Sequence, residues 1–364
     1  MTQRILLHMT APLREDFDIS YHDIGSEHRP PRIALVAGLH GNELNGVSVL
    51  SRLAAFLQEV AEGQQAGLQL RERAIIIPAV NILGLNTLNR YWPFDNTDIN
   101  RMFPGYDAGE TTQRIAHAVL EVSRLAHYRV DLHSASLDFE KLPQVRLYDP
   151  TEDERAKARL FGLPAVIERP TNTIFTVTIG HAWKTYGGAN FVLRAGYAGN
   201  LQLPHCEQLF HALVIFLQHT GIVHGKPASE DSEEDVHYFG VEQTARIVAE
   251  TAGLFISHLE VGRWLQAGDL IGHVFDGFDG QLRAEVKTPV SGLLSGIRRQ
   301  PLLFEGDLIA RVQTRQAVAT EAHDELDGRR QLFCWTRSRH VSHVAVEPPR
   351  IRYFECWLHT MSLS

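Results

Sequence analysis

The stretch that decides the fold is Arg32 to Leu50, RIALVAGLHGNELNGVSVL. Residues 32–38 read as a short buried strand: all but Arg32 are apolar or small, with Pro31 before them and Gly38 at their end. From residue 44 the spacing changes. Val47, Leu50, Leu53, Ala54, Leu57 and Ala61 recur at helical intervals, so 44–61 is expected as a helix with one face toward a core. A strand that passes into a helix through a glycine-bearing loop is the opening unit of an α/β sheet.

The alternation continues downstream. A second strand is expected at Ala74–Val80, then a long polar loop over 81–109. Residues 111–126 read as a helix, with Ile115, Val119, Val122 and Leu125 on one stripe. YRVDLH (128–133), 165–168 and 191–194 read as strands, and 205–219 as a helix with Cys206, Leu209, Phe210, Leu213 and Leu217 inward. This order implies a mostly parallel sheet flanked by helices.

At 225–235, GKPASEDSEED, the texture breaks, with five carboxylates between Glu230 and Asp235. Like charges repel and stay solvated, so the boundary is placed here. An α/β domain is expected over 1–228 and an all-β domain over 237–315. The second part carries a quasi-repeat: AGLFISHLEVGRWLQAGDLIGHV (252–274) aligns with SGLLSGIRRQPLLFEGDLIARV (291–312). Each half has Gly-Leu, an apolar strand, then Gly-Asp-Leu-Ile and a closing strand. This part resembles the lipoyl/biotinyl-type barrel. Lys287 lies between the halves, where such folds carry a modified lysine, but EVKTPV lacks the flanking signature. Residues 316–364 give no structural reading beyond one or two late strands.

A chain of 364 residues exceeds the size at which one core stops growing, which agrees with two domains. Its 43 acidic and 35 basic side chains leave a net charge of −8, arguing against nucleic acid or an anionic membrane as partner. No run of 18 apolar residues exists to cross a membrane, and ILL near the start is too short for a signal-peptide core. Cys206, Cys334 and Cys356 show no paired spacing, so neither a disulfide framework nor a thiolate zinc site is expected. The expected location is cytoplasmic. Homo-oligomer formation stays open. The count of 19 histidines is the one unusual number.

The chemistry concentrates in three segments. GLHGNELNG (38–46) joins the first strand to the first helix, at the carboxyl end of the strand where ligands gather in open α/β sheets. His40 and Glu43 are three residues apart and can face one centre, and an imidazole with a carboxylate is a partial ligand set for zinc. DLHSAS (131–136) places His133 on the same rim, with Asp131 two residues back on the same strand face as a candidate orienting partner. Between them, NRYWPFDNTDINRMFPG (89–105) gathers Arg90, Asp98, Asn100 and Arg101. Arginine forks suit a carboxylate, and so long a loop in a compact domain is unusual unless functional.

In order and spacing these pieces resemble the succinylglutamate desuccinylase/aspartoacylase family, relatives of the zinc carboxypeptidases. The carriers are GLHGNE, VNILGLNTLNRY, DINRMFPG and DLH, across roughly residues 33–136. The resemblance implies an α/β zinc domain followed by a β domain, with His40, Glu43 and His133 as ligands of one Zn2+ per chain. It implies that Arg90, Asn100 and Arg101 hold a small anionic acylated amino acid, and that a metal-activated water hydrolyses its amide.

One position departs from the family pattern. The family's general base stands in a strand reading like LELG or IEVG, whose counterpart here is FVLRAG (191–196), so Arg194 occupies the glutamate's place. Between 160 and 228 the carboxylates are Glu168 and Glu207. Glu168 ends a strand and is the candidate base, with a salt bridge to Arg169 or Arg194 as its alternative role. Two other readings stay open: a carboxypeptidase-like peptide hydrolase, and a zinc-binding protein whose catalysis is weakened by Arg194.

Overall fold

The computed structural model describes residues 3–11, 13, 15–225 and 236–318. The acidic run at 230–235 and residues 319–364, including Cys334 and Cys356, lie outside the described residues. A hairpin, β1 (Gln3–Met9) and β2 (Phe17–Ile24), precedes β3 (Ile33–Val36) and helix α1 (Leu44–Ala61). Then follow β4 (Leu68–Leu70), β5 (Ala74–Ile77), α2 (Ile82–Asn86), α3 (Thr111–Ser123), β6 (Tyr128–Ala135) and β7 (Phe139–Tyr148). The α/β part closes with α4 (Glu152–Ala158), β8 (Ala165–Arg169), α5 (Ile179–Lys184), β9 (Ala189–Tyr197), α6 (Leu203–His219) and β10 (Val223–Gly225).

The main sheet runs β1-β2-β5-β3-β6-β9-β7. Its centre, β5-β3-β6-β9, is parallel as expected from the alternating pattern. The flanks are antiparallel: β2 on β5 at one side, β7 on β9 at the other. The sheet is therefore mixed. Side chains alternate across it. Leu35, Val130, Leu132, Val145 and Leu193 point into one core with Leu50, Leu53 and Leu57 of α1 and Leu209 and Leu213 of α6. Val36, Ile75 and Ile77 point the other way, into a second core with Ile115 and Val119 of α3 and Trp183 of α5. Burying each such leucine contributes about 1.5–3 kcal/mol. Leu125, placed on the α3 stripe by spacing, is exposed, because the helix stops at Ser123.

β7 was not legible as a strand. Its sequence FEKLPQVRLY carries Pro143 and alternating polar residues, yet nine of its ten positions are buried. The proline falls where the β7–β9 register shifts between Lys141 and Gln144, the kind of irregularity that tolerates a missing N–H. Gln144, one of its polar residues, is aligned with Arg194 of β9.

Beyond residue 236 come β11 (His237–Phe239), β12 (Thr244–Val248), β13 (Gly253–Ile256), β14 (Trp264–Leu265), β15 (Leu270–Phe275), β16 (Leu282–Lys287), β17 (Gly292–Arg298), β18 (Leu302–Leu303) and β19 (Leu308–Gln313). The quasi-repeat is visible as β13-β14-β15 against β17-β18-β19. Each half lends its short strand to the other, β14 pairing with β17 and β18 with β13. The two Gly-Asp turns match in detail: Asp269 accepts from Gln266 N at 2.8 Å and Asp307 from Phe304 N at 2.9 Å. This segment has a core of its own, including Phe255, Ile271, Leu294 and Val312. β17 also pairs with β7, so it extends the main sheet, and the described residues fall within one compact unit. Lys287 is exposed and ion-paired with Glu285 at 2.7 Å. No helix among the described residues is long and apolar enough to cross a membrane.

Candidate metal centre

The loop after β3 is held by its own backbone. Glu43 N donates to His40 O at 3.2 Å, Gly41 N to Arg90 O at 3.3 Å, and Asn81 N to Gly38 O at 2.7 Å. Glycine is required at position 41 by proximity: an added Cβ would lie 2.2 Å from Gly84 C and 2.3 Å from Asn89 O. This clamp sets His40 and Glu43 at the carboxyl end of β3, beside the carboxyl end of β6, which carries His133.

The three side chains converge. Glu43 Oε1 lies 2.7 Å from His40 Nδ1, and its Oε2 lies 2.8 Å from His133 Nδ1 and accepts from Ser134 N at 2.9 Å. All three residues are at most 4% exposed. One donor atom from each falls within 4.8 Å of the others, a grouping able to hold a metal ion. The chemistry of the set fits zinc: two imidazoles and one carboxylate is a known catalytic combination that leaves a position open. The outer nitrogens fit too. His40 Nε2 is 3.0 Å from Asp98 Oδ1 and His133 Nε2 is 2.7 Å from Asp131 Oδ2. A carboxylate behind each ring can accept a proton from Nε2, which would leave Nδ1 to coordinate.

The electrostatics follow from burial and these pairs. Burial pushes Glu43 up, but His40 and His133 outweigh it and hold the carboxyl well below its ordinary range. Burial likewise opposes ionisation of Asp98, and His40 and then Arg90 override it, so its carboxyl is strongly lowered. For His133, burial lowers the value while Asp131 and Glu43 raise it, to about 9 in the metal-free chain.

The loop 89–105 closes over the cluster. Arg90 Nη2 lies 3.0 Å from Asp98 Oδ2 and 2.9 Å from His40 Nε2. Asn100 is fixed by Ile179 N, which donates to its Oδ1 at 3.1 Å, and its Nδ2 is 3.4 Å from His133 Nε2. Arg101 donates to Asn100 O at 3.0 Å. Burial lowers its guanidinium; Asp98 opposes this, and Arg90 and Arg194 add to it.

Residues 29–188, a little under half of the chain, are similar to the succinylglutamate desuccinylase/aspartoacylase catalytic domain. The relatives are deacylases. An N-alpha-acetyl-L-2,4-diaminobutyric acid deacetylase of Halomonas elongata is 26% identical over 291 residues, 77% of this chain and 81% of the relative. A succinylglutamate desuccinylase of Pseudomonas fluorescens is 29% identical over 264 residues, 64% of this chain and 71% of the relative. A crystal structure of a family member from Rhodobacter sphaeroides shares the fold, with TM-score 0.67 at 24% identity, over 82% of this chain and 90% of that one.

Against the family pattern, two positions matter. Glu168 is not brought to the cluster. It pairs with Leu147 across β7–β8, on the face opposite His133, where Arg155 Nε donates to it at 2.8 Å and the Tyr238 hydroxyl also reaches it. Its carboxyl sits below its ordinary value because those two donors outweigh burial. The salt bridge expected from sequence exists, but with Arg155 rather than Arg169 or Arg194. Arg194, in contrast, stands beside the cluster: β6 and β9 align His133 with Arg194, and β9 and β7 align Arg194 with Gln144. Gln144 was missed because its strand was. Trp183 belongs to the core, donating to Ser123 Oγ at 2.9 Å.

Proposed function

We propose that this chain is a zinc-dependent amidohydrolase that removes the acyl group from a small, anionic N-acyl amino acid. The observation that carries the reading is the buried His40–Glu43–His133 set with a carboxylate behind each imidazole. A zinc ion held there, one per chain, would polarise the amide carbonyl and lower the pKa of a water molecule. Asp98 and Asp131 would keep the two imidazoles in the coordinating tautomer. Arg90, Asn100 and Arg101, converging from one loop, would take the amino acid's carboxylate through charge-assisted hydrogen bonds. The activities that name the Halomonas and Pseudomonas relatives, both on acylated amino acids, support the same class.

The same reading assigns the hydrolase chemistry to residues 1–228 and a supporting role to the lipoyl-like β part at 237–315, in a cytoplasmic setting. A second reading has one observation in its favour. Glu43, Asp98 and Asp131 are each committed to a histidine, and Arg194 stands where a proton-accepting carboxylate would otherwise fit, which suits a zinc-binding protein with weakened catalysis. A panel of N-acetyl and N-succinyl amino acids alongside dipeptides, with zinc-loaded protein, tests both. Release of free amino acid from the acylated panel supports hydrolysis, turnover of dipeptides alone would indicate a peptidase, and tight binding without turnover would favour the second reading.

A further inference from the structure

The parallel strands β3, β6 and β9 have two rims. The metal cluster stands at their carboxyl ends, and their amino ends open on a cavity of about 650 Å3. Arg32, His127 and Gly188, the residues just before the three strands, all line it, together with Arg29, Glu72 and Arg124. Arg129 at this rim and His133 at the other are four residues apart on β6, roughly 13 Å along the strand. The hydrolysis described above uses nothing at the amino rim.

Two cations at this cavity have no carboxylate partner among the described residues. Glu72 serves Arg29 at 3.9 Å, and Glu121 holds Arg124 through two contacts of 2.8 Å. Asp153 and Lys157 both act on His127 and offset each other. Arg32 remains over, standing above the Tyr128 ring at 5.0 Å from its centroid. So does Arg129, which is fully buried. Its Nη1 donates to Trp183 O at 3.1 Å and to Arg124 O at 3.3 Å, but its Nε and Nη2 have no hydrogen-bond partner. Glu154 acts on it from a distance while accepting from Asn190 N and Thr151 N at 2.9 Å and facing Lys184 at 3.8 Å. Burial therefore pushes the Arg129 guanidinium down to about 10, with Glu154 opposing. A buried charge with two unused donors is costly unless a ligand group completes it.

Nη2 is turned toward the cavity wall. A Cβ on Gly188 would lie 2.8 Å from it and 2.4 Å from His127 O, and Gly188 has φ +74°, so glycine keeps the approach to Arg129 open. Two unpaired guanidinium forks suit an oxyanion carrying more than one charge. A phosphate group brings three acceptor oxygens and close to two negative charges, where a carboxylate brings two oxygens and one charge.

We propose that this cavity is a second ligand site, at the opposite rim from the metal cluster, in which Arg32 and Arg129 hold a phosphate group. The inference stands independently of the hydrolase reading. Calorimetric titrations of the zinc-loaded full chain at fixed ionic strength use inorganic phosphate and ribose 5-phosphate. One ligand should bind per chain; tighter binding of the ester identifies an organic phosphate as the ligand, and equal binding identifies free phosphate. Arg32→Gln should weaken binding at least tenfold, about the size of one charge-assisted contact. Arg129→Lys, which keeps the charge but loses the nitrogen aimed at Gly188, should weaken it severalfold. Arg101→Gln, at the metal cluster, should bind phosphate as wild type does. A protection experiment needs no variant: phosphate should slow phenylglyoxal labelling of Arg32, read by mass spectrometry, and leave the exposed Arg263 unaffected. No saturable binding by wild type, equal affinity in wild type and either cavity variant, or loss in R101Q instead would overturn the assignment. Equal protection of Arg32 and Arg263 would do the same.

Discussion

Replacing Asp131 by asparagine separates the charge behind His133 from its shape. Asp131 Oδ2 lies 2.7 Å from His133 Nε2, with both residues 2% exposed, and asparagine retains an acceptor oxygen there while removing the charge. Two effects then oppose each other. In the metal-bound chain, losing such a partner weakens metal affinity by about 10- to 100-fold, or ~1.4–2.7 kcal/mol. In the metal-free chain, burial lowers His133 but Asp131 and Glu43 raise it to about 9. Because this lies above the ordinary 6.5, the protonated imidazole stabilises the metal-free fold fully below pH 6.5 and ceases to do so as pH rises through 9. At pH 7 the incoming metal must displace that proton, which opposes binding. The substitution reduces this opposition. Near pH 7 the two effects offset, and toward pH 9.5 only the weaker ligation remains. Chelator-competition measurements of the zinc dissociation constant from pH 7 to 9.5 should show the D131N penalty growing with pH to about 10- to 100-fold. Asp18→Asn, equally close to the exposed His8 at 2.7 Å, is the control and should leave zinc affinity unchanged. A penalty largest at pH 7, or none at any pH, would refute the reasoning.

Glu168→Gln should leave kcat/KM within about twofold of wild type while lowering stability by on the order of 1 kcal/mol, seen as a modest fall in Tm, because Glu168 serves Arg155 and Tyr238 on the far face. A loss of kcat beyond tenfold with Tm unchanged would return this residue to the reaction. Gly41→Ala should cost about 1–3 kcal/mol or more and reduce zinc stoichiometry, since its Cβ would press on Gly84 and Asn89. Full zinc content and an unchanged Tm in this variant would show that the clamp on the ligand loop is unnecessary.

The parallel centre of the sheet was legible because both faces of β3, β5 and β6 are covered, which gives near-continuous apolar runs. The convergence of His40, Glu43 and His133 was legible for a related reason: they follow those runs at the carboxyl ends of adjacent strands. β7 escaped because polar residues and Pro143 interrupt its apolar run; one of them, Gln144, is aligned with Arg194. Glu168 shows the limit of local reading. Whether it faces the cluster or α4 is decided by its pairing with Leu147, 21 residues earlier in the chain and absent from its own neighbours in sequence. Arg194 was found as a departure from a pattern, and only the alignment of β6, β9 and β7 gave it a neighbourhood. The quasi-repeat announced two similar β halves, but not that each would exchange its short strand with the other or that β17 would extend the main sheet.

The most direct test of the account is a zinc titration of the metal-free chain, following release of amino acid from an N-acyl substrate. Activity should be absent without metal, rise in proportion to added zinc and break at one equivalent per chain, with no rise in His40→Ala. Full activity before zinc is added, or an unchanged titration in His40→Ala, would contradict a reaction centred on His40, Glu43 and His133.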